Sequence, residues 1–142
     1  MTAFKSLARV HTWVLHEKQQ KLAGLEELID KMRGDLGRLD EDLRSEERAA
    51  MGSIEGTVAF PAFIAATLER RRRLRQTIAE LEEAAEDARE EVRAAFEEMK
   101  KFEHAHQARE RAEQEARARR EQIALDQLGG DLHQRGRSAV EE

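Results

Sequence analysis

A seven-residue repeat of apolar side chains, interrupted once, governs what this chain can fold into. Leu15, Leu22, Ile29, Leu36, Leu43 and Ala50 fall every seven residues, with His11, Lys18, Leu25, Met32, Leu39 and Glu46 interleaved. Together they form a heptad seam from about Ala8 to Ala50, widened near its start by Leu7, Val14 and Leu28. No stretch shows the period of two that a half-buried strand requires. Gly24, Gly34 and Gly37 each cost a helix about 1 kcal/mol relative to Ala. The seam runs through all three, which predicts a weakened helix and not a broken one.

The repeat lapses between Met51 and Pro61. Gly52 and Gly56 permit positive φ, and Pro61 suits the first turn of a new helix because its missing N–H is not needed there. The periodicity then restarts as Ile64, Arg71, Ile78, Ala85, Val92, Met99 and His106, with Thr67, Leu74, Leu81, Ala88, Ala95 and Phe102 between them. The expected layout is a helix over 3–50, a turn over 51–60 and a helix over 61–128. Gly129 and Gly130 end the second helix, leaving a flexible polar tail over 129–142.

Two helices joined by one short turn run antiparallel, so the fold class is all-α, an antiparallel two-helix coiled-coil hairpin. A turn near residues 55–56 pairs position i with roughly 111 − i, so Leu43 is expected to meet Leu68 and Leu15 to meet Phe96. Charge supports this register. Arg70 to Arg73 would lie across from Asp40, Glu41, Asp42, Glu46 and Glu47, and Lys18 and Lys21 across from Glu90, Glu91, Glu97 and Glu98. At 1.5 Å per residue the helices would be roughly 70 Å and 100 Å long. The second therefore overhangs from about Arg109 to Leu128. There Arg109, Arg111, Arg117, Arg119 and Arg120 flank a narrow apolar edge of Ala112, Ala116 and Ile123. Arginines in such an array suit an acidic groove on a protein partner.

The composition narrows the function. At 142 residues the chain has the length of one domain. Charged residues make up 39%, as many as the apolar ones, and aromatics only 4%, which suits long solvated helices better than an enzyme core. The absence of Cys excludes disulfides and zinc–thiolate sites. No apolar run reaches the ~18 residues of a membrane span, and the N-terminus lacks a secretory apolar region. A cytoplasmic chain without direct membrane insertion is expected. The net charge of −5 provides no general attraction for nucleic acid.

Nor do the side chains converge on chemistry. The carboxylates lie on open helix surfaces, with no pocket to raise a pKa for acid–base work. His104 and His106 are two apart, His11 and His16 five apart, and none shows the four-residue spacing of a helical metal pair. Neither catalysis, nor a cofactor, nor a metal is expected. His11 and His106 both fall on seam positions, where a polar layer fixes register. Phe4 and Trp13 are expected to pack at the open end of the hairpin. Two rival readings are a generic homodimeric coiled-coil scaffold and a nucleic-acid-binding module built on Arg70 to Arg73.

Four segments resemble a known family. They are Phe4 to Val10 followed by Glu17, Lys18 and Gln19; Phe60, Pro61, Ala62, Phe63 and Ile64 after the turn; Lys100 to Glu103; and Leu125 to Leu128 with the basic tail beyond. In these the chain is similar to the FliJ/YscO family, small coiled-coil proteins of the flagellar and related type III export apparatus. The chain is expected to be a monomer, and the resemblance implies a non-enzymatic coupling factor and chaperone escort at the flagellar base of the inner membrane. Its implied partners are the export ATPase hexamer, the membrane export gate protein and export chaperones. The ATPase contact would fall on Lys5, Arg9, Arg109, Arg111, Arg117, Arg119 and Arg120, and the gate contact on the early second helix at Phe63.

Overall fold

The computed structural model describes residues 2–141. Helix α1 spans Thr2–Ala50 and α2 spans Ile54–Glu141; they pack against each other as an antiparallel hairpin, with no strand among the described residues. The contacts divide the chain into two units: Arg9–Glu98, and the residues up to Ala8 together with those from Met99 onward.

In the unit Arg9–Glu98 the seam is the core. Ile29, Leu39 and Ala50 of α1 and Ile78, Ala85 and Ala88 of α2 are buried, and Thr67 is buried with them. Ala85 and Ala88 are the most enclosed of these, and side chains so small let two helix backbones approach closely. Asp40 faces Arg71, whose numbers sum to the expected 111. The other interhelical ion pairs, Lys18 and Lys21 with Glu91, Arg33 with Glu82 and Glu26 with Arg89, depart from that register by no more than four.

Three packing expectations change. Leu68 and Phe96 are each 46% exposed, so neither is a buried core residue as expected opposite Leu43 and Leu15; beside Leu68 it is Thr67 that is buried. Positions beside a narrow seam lie toward the polar face of the helix and stay partly in water. Trp13 is 62% exposed and does not pack at the hairpin end.

The reversal is tighter than 51–60. Ser53 caps α2: its Oγ accepts the Gly56 N–H at 2.9 Å, so the helix starts at Ile54 and Pro61 falls inside it. The Thr57 hydroxyl lies 2.9 Å from both the Ala50 and the Ser53 carbonyl oxygens, tying the start of α2 to the end of α1. No glycine has positive φ. For the same reason Gly129 and Gly130 do not stop α2. Without the left-handed residue that closes a helix end, the backbone continues helical to Glu141.

In the other unit Phe4 of α1 stacks on two rings of α2. Its centroid lies 5.3 Å from Phe102 and 3.4 Å from His106, with the planes within 13° and 10° of parallel. The face of His106 is thus taken by Phe4 and not by a second histidine. Beyond His106 every described side chain to Val140 is exposed.

Candidate functional site

The long exposed part of α2 carries most of the residues expected to dock a partner. An α-helix with nothing alongside is marginal in water and held largely by i,i+3 and i,i+4 pairs. Such pairs occur here: His106 Nε2 lies 3.1 Å from Glu110 Oε1, and Arg119 lies 3.8 Å from Glu115. Arg120 Nε donates to the Ala116 carbonyl at 3.3 Å. Arg111 makes no ion pair among the described residues and projects from an exposed helix. Arg109 and Arg117 line a shallow depression of about 360 Å³ with Ala3, Phe4, His106, Glu110, Glu113 and Gln114. The structure therefore brings these two arginines to the first turn of α1, where Lys5 is also exposed. Arg9 belongs to the other unit and is exposed there.

Phe63 is half-buried on α2 and is not freely presented. The apolar side chains most open to water in that region are ones the heptad pattern passes over: Met51 at 82%, Ile54 at 86% and Val58 at 76%. A signal for them exists in the sequence. Gly56 to Leu68 contains no charged residue, in a chain that is 39% charged.

Three of the four arginines at Arg70 to Arg73 are paired within the chain, by two carboxylates. Arg71 Nε lies 3.0 Å from Asp40 Oδ1, although its N–H is turned away from the oxygen, so the contact is an ion pair without a hydrogen bond. Arg72 and Arg73 do not cross to α1. Arg72 donates from two nitrogens to both oxygens of Glu69, at 3.0 and 2.8 Å, and Arg73 donates to the same carboxylate at 3.1 Å. These hydrogen bonds, that of Arg72 first, hold the Glu69 carboxyl at about 2 instead of 4.5, and Arg72 is raised in return. Of the four, Arg70 makes no ion pair among the described residues.

Glu91 accepts both Lys21 and Lys18, at 3.2 and 3.4 Å. The Lys21 hydrogen bond, followed by the charge of Lys18, lowers its carboxyl below the ordinary range. No helix among the described residues is long and apolar enough to cross a membrane. None of them form a group of three or more His, Cys, Asp or Glu placed to hold a metal ion.

The sequence model of the family described as flagellar FliJ protein matches residues 1–138, nearly the whole chain. No curated protein and no solved structure matches it.

Proposed function

This chain belongs to the FliJ family of flagellar proteins, and from that premise we propose that it is a non-enzymatic coupling and chaperone-escort factor of the flagellar type III export apparatus. It works at the cytoplasmic face of the flagellar base. Its exposed α2 extension docks on the export ATPase hexamer through Arg109, Arg111, Arg117, Arg119 and Arg120, with Lys5 and Arg9 completing the contact. The early part of α2, at Phe63, engages the membrane export gate, and export chaperones are handed on from there.

The observation that most supports the ATPase contact is the uninterrupted exposure of α2 from Gln107 to Val140. A charged helix that finds no partner in its own chain acquires stability by binding another. A single helical element seated in a ring contacts its subunits unequally. It biases turnover by favouring some ring states over others, and it supplies no catalytic group.

Reversing Arg117, Arg119 and Arg120 to Glu is expected to leave helicity intact and abolish stimulation of the purified export ATPase. Stimulation that persists would place the docking site elsewhere. Light scattering on the same preparation is expected to give the mass of one chain, 16.3 kDa. A concentration-independent dimer would favour the scaffold reading.

A further inference from the structure

We propose that the turn of the hairpin is an end-on docking knob, seated in a concave apolar cleft of a partner protein that carries one basic side chain for Glu55. The inference rests on the gate contact proposed above and names the chemistry which that contact must present.

Met51, Ile54 and Val58 stand at 82%, 86% and 76% exposure around the reversal. Ile54 and Val58 are one helical turn apart, and Pro61, Ala62 and Ala65, all exposed, continue the same face of α2. An apolar cluster of this kind on a water-facing end marks an interaction surface.

Several polar groups of the turn are satisfied within the chain. The Met51 N–H donates to the Glu47 carbonyl, Gly52 to Ala49, Gly56 to the Ser53 hydroxyl and Thr57 to the Ser53 carbonyl. The Thr57 hydroxyl is likewise engaged with backbone carbonyls. Burying this turn therefore strands fewer groups than burying an open reversal would, and the N–H groups left at the start of α2, at Ile54 and Glu55, are donors that a partner's carbonyl or carboxylate can meet.

Charge selects the occupant. From Ala49 to Leu68 the only charged residue is Glu55, exposed in the first turn of α2 and without an ion pair among the described residues. A neutral apolar cleft with a single Lys or Arg complements it. An anionic lipid surface does not. Beside the knob Glu46, Glu47 and Glu55 outnumber Arg48; farther along α2, Arg71 is paired with Asp40, Arg72 and Arg73 share Glu69, and Arg70 makes no ion pair among the described residues.

The test is binding of the full chain to the export gate protein in lipid nanodiscs, with empty nanodiscs of the same lipids as the second arm. The parent chain is expected to bind loaded discs and not empty ones. Ile54→Ser with Val58→Ser is expected to weaken binding about 30-fold or more, and Glu55→Lys about tenfold, each with unchanged helicity by circular dichroism. Phe63→Ala is expected to cost less than either. Undiminished binding of the double serine variant, alongside its loss in Phe63→Ala, overturns the knob and leaves the gate contact standing. A parent chain that ignores loaded discs overturns both. Binding to empty discs that disappears in the double serine variant makes lipid the occupant and overturns the protein cleft.

Discussion

Gly56 earns its place through one close approach. A Cβ built there would lie 2.8 Å from Ser53 Oγ and 3.0 Å from the Ala50 Cα, so the end of α1 and the start of α2 approach closely at this residue. Gly24, on α1, has nothing within 4 Å of the same construction. Gly56→Ala is expected to lower stability by about 1–3 kcal/mol through overpacking. Gly24→Ala is expected to raise it by up to about 1 kcal/mol through helix propensity. Thermal unfolding followed by circular dichroism checks the pair; shifts of the same sign would remove the close approach. Sequence could not rank these glycines, because the atom that makes Gly56 necessary belongs to Ala50 and is brought near only by the reversal. Trp13 shows the same limit: a large aromatic beside a seam reads as packed, yet which side of the helix it takes depends on how wide the seam needs to be.

At the scale of the helices, their pairing was legible and their ends were not. Asp40 opposite Arg71 and Lys18 opposite Glu91 follow from a heptad count and the segregation of charge, two signals spread over dozens of residues. Helix ends depend on single groups. Pro61 reads as the first turn of α2, but the helix starts at Ile54 because the hydroxyl of Ser53 caps Gly56. At Gly129 and Gly130 a stop was expected from residue type, although type alone does not force the left-handed backbone that ends a helix.

The Glu91 clasp between the helices carries a pH signature. Its carboxyl, ordinarily at 4.5, is lowered in the folded chain by Lys21 and Lys18. Its contribution is therefore present above that value and lost as pH falls through the lowered one. Lys18→Gln with Lys21→Gln is expected to reduce the acid sensitivity of the unfolding midpoint in that window. Equal sensitivity in parent and variant would mean that the exposed clasp adds nothing, as many surface pairs do.

Over the whole molecule the fold and the family were legible because both are written in long-range pattern. The proposed partners come from family likeness and not from any constellation of side chains. The exposed knob at Met51, Ile54 and Val58 was missed because a heptad reading looks for apolar residues that repeat, and these stand where the repeat stops.

The hydrogen bonds that close the turn also set an order of events. The link from Thr57 to Ala50 spans seven positions, that from Arg33 to Glu82 spans 49 and that from Lys18 to Glu91 spans 73. Each layer shortens the loop that the next must close, so assembly starts at the bend and proceeds outward. Thr57→Val is expected to slow refolding in stopped-flow experiments, whereas Lys18→Gln with Lys21→Gln is expected to speed unfolding and leave the refolding rate nearly unchanged. The opposite assignment would mean that the arms find each other before the bend is made. On a ribosome, the first arm has no partner until the bend has emerged, and pairing can then extend only as the second arm is synthesised.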